Sequence, residues 1–255
     1  MGQPATPCRL GALNAETSYL LDRFGFEPPQ LLQDARMKLS EITMDPPVSI
    51  TPETTIYETM QIMQKENLAY CGVVDARNHV LGMVTKSDFS VVGVDDTARS
   101  IDILAHTPVE NIRKTINGSI VYDDPNVAVN GKVSIIAMTY PEHLDRYEVE
   151  KRIVIVGADT MAQKKCIQLG AGMLIIVWAD TVDESVIEEA KKHHCPIIRS
   201  GHGTMNTSRY LYFAPSVERI MKKNPILFHT NELAEDVGVK MLRNRYRAYP
   251  VVDQN

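Results

Sequence analysis

The sequence predicts a mixed α/β chain, a duplicated strand–helix–strand unit interrupted by a parallel-sheet insertion. Three observations predict it. The chain reads PPVSITPETTIYETMQIMQKENLAYCGVVDA around position 48 and NPILFHTNELAEDVGVKMLRNRYRAYPVVDQ around position 226. The strand starts Val48 and Ile226 are 178 apart (226 − 48), and so are Asp75 and Asp253 (253 − 75). Between the copies, near-continuous Val/Ile runs alternate with helical stretches, the pattern of a sheet covered on both faces.

In chain order, residues 1–36 belong to neither pattern. They begin rich in turn residues, and one short helix at NAETSYLLDRFG stops at Gly25 ahead of Pro28 and Pro29. The first copy then has a Pro-led short strand and an amphipathic helix. Ile56, Met60 and Met63 fall at i, i+4 and i+7, and Thr55 with Glu58 forms a capping box. A strand ending Val-Val-Asp follows, then a turn at ARNH, the strand VLGMVT and a helix entered at KSDFSVV. In the insertion, the strand KVSIIAMT leads to a helical PEHLDRYEVE and the strand RIVIV. The helix TMAQKKCIQLG then leads to MLIIVW, and the helix DESVIEEAKKHH to PIIR. In the second copy Leu233, Val237 and Met241 form the apolar stripe. That copy stops at Asn255 where its turn is due, which predicts a fragment of a longer protein. The expected bounds are 1–36 for the leading segment, 37–95 for the first copy, 96–213 for the insertion and 214–255 for the second copy.

The 255 residues are 23% charged and 44% hydrophobic, an ordinary globular balance. A net charge of −5 without a long basic run argues against a nucleic-acid partner. No apolar run approaches the roughly 20 residues that cross a bilayer, so no membrane partner is expected. The start MGQPATPCRL lacks a secretory apolar core, and Cys8, Cys71, Cys166 and Cys195 are scattered without a CxxC pair. These features point to free thiols and a cytoplasmic location.

The stretch LGMVTKSDFS places Thr85, Ser87 and Asp88 at a strand-to-helix junction. Such oxygens either cap the helix or hold a ligand suited to a helix N-terminus, such as a sugar phosphate. His193, His194 and Cys195 end a helix, where adjacent side chains point about 100° apart, so dipole-favoured helix-end histidines are expected rather than a metal site.

The two copies resemble cystathionine-beta-synthase (CBS) modules, which pair to bind adenine nucleotides. The family's signature of Gly, two mostly apolar residues, Ser/Thr, two variable residues and Asp/Asn appears as Gly82, Met83, Val84, Thr85, Lys86, Ser87 and Asp88. The insertion resembles a DRTGG domain through TPVENIRKTINGSIVY, GKVSIIAMTYPEHLDRY, RIVIVGAD and GAGMLIIVW, in that order. It departs from the name-giving motif: Gly157-Ala158-Asp159 stands for Gly-Asp-Arg and Val177-Trp178-Ala179 for Thr-Gly-Gly. The order CBS–DRTGG–CBS is similar to the regulatory insertion of family II inorganic pyrophosphatases, DHH-type enzymes dependent on manganese or cobalt. PCRLGALNAETSYLLDRFGFEPPQLL resembles the catalytic segment leading into that insertion.

The resemblance implies AMP or ADP as an inhibitory ligand, diadenosine polyphosphates as activators, and a cleft between the modules as the site. It implies that Asp88 accepts from the ribose hydroxyls, while Thr85, Ser87 and the helix N-terminus hold phosphate beside Lys86. Arg247 is expected on phosphate and Tyr249 on the ligand from the second module; a solvated helix end is the plain alternative. Ser49 and Asn224 are candidates for adenine contacts through backbone groups, and Tyr70 for the wall of the cleft. The resemblance further implies a homodimer and a catalytic DHH domain in the parent chain holding manganese or cobalt with magnesium. Neither His-x-x-x-Asp-x-Asp nor Asp-His-His occurs here, so the chain by itself is expected to hydrolyse no pyrophosphate. Competing readings are a CBS pair serving only assembly, and a DRTGG-bearing relative of phosphate acetyltransferases.

Overall fold

The structure, a computed structural model, describes residues 5–32, 36–92, 98–136, 141–244 and 246–253. Its contacts divide the chain into a terminal unit, Met1–Asp45 with Ile226–Asn255, and a central unit, Pro46–Pro225. The expected boundary at 95/96 and the end of the expected strand beyond Ile136 lie outside the described residues.

In the terminal unit, β1 (Cys8–Arg9) pairs in parallel with β2 (Gln30–Leu31), and α1 (Ala15–Phe24) runs between them. The ends of α1 are set locally. The Asn14 side chain accepts from the Thr17 amide, and Gly25 closes the helix at φ 67°, a left-handed turn open to glycine without strain.

The central unit opens with a four-stranded sheet. Its strands β3 (Ser49–Ile50), β4 (Tyr70–Val74) and β5 (Val80–Thr85) flank α2 (Ile56–Lys65), and a 3-10 helix follows over Lys86–Val91. Ile50, Cys71, Val73 and Val84 form the buried face of the sheet with Ile56 and Met63 of α2. The helix turns Ile56, Thr59 and Met63 inward, whereas Met60 is exposed. Positions i+3 and i+4 lie equally far, on opposite sides, from the line through i and i+7 on a 3.6-residue helix, so packing decides which of the two turns inward. Here Met60 sits at the edge of the stripe and Thr59 takes its place, its hydroxyl donating to the Thr55 carbonyl.

Helices α3 (Ala98–Ala105) and α4 (Val109–Thr115) lead into the insertion. Its strands are β6 (Ser119–Tyr122), β7 (Val133–Ile136), β8 (Ile153–Val156), β9 (Met173–Ile176) and β10 (Ile197–Arg199). They lie in the order β6-β10-β9-β8-β7, with β7 to β10 parallel and β6 antiparallel at the edge. Every residue of β8 and β9 is buried, which explains the unbroken Val/Ile runs. Helices α5 (Thr160–Gln168) and α6 (Glu184–His193) start at the caps Asp159 and Asp183, and α7 (Thr204–Leu211) follows β10. The expected helix at PEHLDRYEVE is only a 3-10 turn over Pro141–Arg146, after which Glu150 bridges to Ala171.

The chain returns to the first sheet before leaving the central unit. A 3-10 turn at Val217–Arg219 precedes β11 (Lys222–Lys223), which adds antiparallel to β5 and gives the order β11-β5-β4-β3. In the terminal unit, β12 (Phe228–His229), α8 (Ala234–Asn244) and β13 (Val251–Val252) repeat the first copy. The helix starts Ile56 and Ala234 keep the spacing of 178 (234 − 56), and β12 pairs in parallel with β13 as β3 does with β4. Val237 is buried against Leu39 and Phe228, but Leu233 lies ahead of α8 and Met241 is exposed. Residues 37–41 bond within the terminal unit: Leu39 donates to the Glu232 carbonyl and Ser40 to that of Thr230. Residues 216–223 bond within the central unit, where the Val217 amide donates to the Thr54 carbonyl.

Candidate functional site

Strand register sorts the central sheet into two faces, because residues directly opposite on neighbouring strands point the same way. Ser49 stands opposite Gly72, Gly72 opposite Met83, and Tyr70 opposite Thr85. Lys222 of β11 stands opposite Met83. Ser49, Tyr70, Thr85 and Lys222 therefore share the face turned away from the core residues Ile50, Cys71, Val73 and Val84. The resemblance to CBS modules makes three of these candidates; the register brings them together and adds the fourth.

Gly82 opens the motif for a packing reason. A Cβ there would lie 2.8 Å from Met221 Sδ and 2.9 Å from the Lys222 carbonyl, so only glycine lets β11 approach β5. At the other end of the motif, Asp88 Oδ2 accepts from the Thr85 amide at 2.8 Å and from the Thr85 hydroxyl at 2.7 Å. Asp88 Oδ1 faces Lys222 Nζ at 3.6 Å. The carboxylate thus caps the turn with one oxygen and presents the other to a cation. Lys86 and Ser87 are exposed, and Ser87 uses its carbonyl to accept from the Ser90 hydroxyl. The expected helix start is a six-residue 3-10 turn, so little macrodipole is available to a phosphate.

Asn224 is exposed just after β11 in a left-handed conformation at φ 53°, and its amide reaches the Leu81 carbonyl at 3.4 Å. In the terminal unit, Arg247 is exposed between α8 and β13. The Tyr249 ring packs 5.1 Å from that of Phe228, and its hydroxyl accepts from the Tyr246 amide while reaching the Met241 carbonyl at 3.4 Å. Those bonds make Tyr249 part of the packing under α8. Lys222 is the residue that sequence reasoning missed. Its only local signal is a Lys-Lys pair, and the pairing of β11 with β5 spans about 140 residues of chain that periodicity cannot bridge.

The segments standing for the DRTGG motif lie at the carboxyl ends of β8 and β9. Trp178 holds φ 61° there, a conformation that costs a glycine little and a tryptophan more, and its ring is exposed. Gly203 makes room for it, since a Cβ would lie 2.3 Å from the indole. Among the described residues, no three His, Cys, Asp or Glu side chains converge as metal ligands. His193 closes α6 and is 3.5 Å from Glu189, while His194 pairs with Asp124. Cys71, Cys166 and Cys195 are free and buried, and burial pushes their thiols up to about 11, 11 and 12. No helix among the described residues is long and apolar enough to cross a membrane.

Comparison with known proteins identifies the domains. The DRTGG domain family matches residues 111–213, and the CBS domain family matches 39–93 and 217–255. The cobalt-dependent inorganic pyrophosphatase of Clostridium perfringens is 33% identical over 99% of this chain and 46% of its own length. The probable manganese-dependent inorganic pyrophosphatase of Thermotoga maritima is 24% identical over the same shares. The chain therefore spans about half the length of these relatives. The crystal structure of the CBS and DRTGG domains of the regulatory region of Clostridium perfringens pyrophosphatase, complexed with the activator diadenosine tetraphosphate, superposes with a TM-score of 0.76. The two are 30% identical, and the match covers 86% of this chain and 96% of that one. With nearly the whole of that solved region matched, this chain belongs to the family of CBS- and DRTGG-domain regulatory regions of inorganic pyrophosphatases.

Proposed function

We propose that this chain senses adenine nucleotides on behalf of a manganese- or cobalt-dependent inorganic diphosphatase, with AMP or ADP inhibiting and diadenosine polyphosphates activating. The observation that carries the reading is the convergence on one sheet face of Ser49, Tyr70, Thr85 and Lys222, with Asp88 bonded to Thr85 and facing Lys222. Hydroxyls, an aromatic ring, a carboxylate and an ammonium match the ribose, base and phosphate of a nucleotide. The diadenosine tetraphosphate complex of the Clostridium perfringens region supports the ligand class. Thr85, Lys86, Ser87 and Asp88 are proposed contacts, with Ser49, Asn224 and Tyr70, and, in the terminal unit, Arg247 and Tyr249. The proposed modules run 37–95 and 214–255 around a DRTGG domain at 96–213, with 1–36 belonging to the catalytic domain. The parent's metal is not assigned to this chain, whose sequence lacks both ligand motifs of the DHH enzymes. A ligand here acts on the enzyme only through unequal affinity for two arrangements of the region.

Asp88 tests the reading. Asp88→Asn keeps an oxygen for the Thr85 amide but removes the charge and one acceptor. If ribose hydroxyls bond to the carboxylate, AMP affinity falls roughly ten- to a hundredfold, since a hydrogen bond to a charged group is worth about 1.5–3 kcal/mol. Calorimetric titration of AMP, beside melting curves of both proteins, reads this. Equal affinities with a lowered melting point would reduce Asp88 to a cap, and no AMP binding by the unaltered chain would favour the assembly reading.

A further inference from the structure

The ion pair between Lys222 and Asp88 joins two strands that sequence separates widely. Asp88 has a side chain only 13% exposed and Lys222 one that is 59% exposed, with Nζ 3.6 Å from Oδ1. Oδ2 is committed to the amide and hydroxyl of Thr85, so Oδ1 is the oxygen left for any further partner. The β11–β5 register puts Lys222 on the face carrying Thr85 and Tyr70. Lys223 differs: it stands opposite buried Gly82 and reaches Glu218 at 3.5 Å.

We propose that Lys222 selects for a phosphorylated ligand at this site; this rests on the nucleotide reading of the same face. A ligand offering only ribose hydroxyls to Asp88 Oδ1 must displace the ammonium and leave it without an anion. A ligand that also carries a phosphate supplies the replacement, so the ammonium passes from carboxylate to phosphate as the hydroxyls take the carboxylate. Lys222 is suited to this exchange because its flexible stem lets the charge move while the strand stays paired. The short 3-10 turn after Thr85 adds little dipole of its own, which leaves side-chain charge as the source of phosphate preference. Lys222 thereby favours nucleotides and disfavours nucleosides through one side chain.

The test compares AMP with adenosine by calorimetric titration of the full chain and of Lys222→Met, Lys222→Arg and Lys223→Met. Lys222→Met is expected to weaken AMP about tenfold, one charge-assisted contact, while adenosine affinity holds or rises. Lys222→Arg retains the preference for AMP, and Lys223→Met leaves both affinities unchanged. Equal factors for AMP and adenosine in Lys222→Met, or no change for either, would overturn the proposal, as would loss of the preference in Lys223→Met alone. Failure of the unaltered chain to bind AMP removes the nucleotide reading itself, and the selection with it. The two failures are distinct because the second appears before any substitution is made. Melting curves of the variants confirm folding, which exposed lysines on a short edge strand do not control.

Discussion

Asp124 ties together three parts of the insertion. It is 5% exposed, accepts from the Tyr122 hydroxyl and the Asn126 amide, and lies 2.9 Å from His194 Nδ1. The Tyr122 hydroxyl, then the Asn126 amide and then His194 hold its carboxyl down at about 2. The same bond to Asp124, with burial second, pushes the Tyr122 hydroxyl up to about 12. The signs follow from which form folding favours. A depressed carboxyl contributes stability that is fully present above the unfolded value near 4 and is lost as pH falls through about 2. A raised phenol contributes stability that is present below about 10 and is lost as pH rises through about 12. Melting temperatures measured from pH 5 down to pH 2 are therefore expected to fall more steeply in the unaltered protein than in Asp124→Asn. Parallel curves would remove Asp124 from the acid response. The bonds from Tyr122 and Asn126 come from two residues away on either side, but His194, 70 residues on, joins them only once β6 has paired with β10 and so was not legible in the sequence.

Helix α2 shows how far local rules carry an element. Glu58 accepts from the amide and hydroxyl of Thr55, and Thr55 Oγ1 accepts from the Glu58 amide. Four residues of sequence suffice for that box, so it was legible, as was the stop of α1 at Gly25. Thr55 is also buried, where 213–216 cross the helix start and the Ile56 amide donates to the Pro215 carbonyl. Thr55→Ala is expected to cost about 1–2 kcal/mol, with Thr55→Ser recovering most of it. Chemical denaturation of the three proteins checks this, and a Thr55→Ser as weak as Thr55→Ala would assign the loss to the methyl group instead. The apolar stripe was less legible. Met60 belongs to the hydrophobic pattern but is exposed, and polar Thr59 is buried because its hydroxyl finds the Thr55 carbonyl. Residues 86–91 look like the start of a helix but stop after one 3-10 stretch.

For the whole molecule, the proposal of a homodimer rests on apolar side chains that single-chain packing leaves exposed. Met60 on α2 and Val239, Met241 and Leu242 on α8 are exposed, and α8 buries only Val237. Flexible methionines suit adaptable interfaces. Sedimentation at tens of micromolar is expected to return twice the monomer mass, and Leu242→Glu to shift it toward the monomer; a monomer at all concentrations would count against the proposal. What the sequence by itself determined is what short-range physics controls. The repeat at a spacing of 178 residues (234 − 56), the buried Val/Ile strands, the helix caps and the Gly82–Asp88 motif each depend on neighbours within a few residues. Only the tertiary structure decided that β11 completes the first copy's sheet, that 37–41 bond within the terminal unit, and that β6 closes the insertion's sheet antiparallel. It also decided that Lys222 faces Asp88. Strand pairing joins backbone groups across any length of chain, and a two-residue strand carries no periodicity of its own, so its partner is settled by which edge is open and by the glycine that lets it approach.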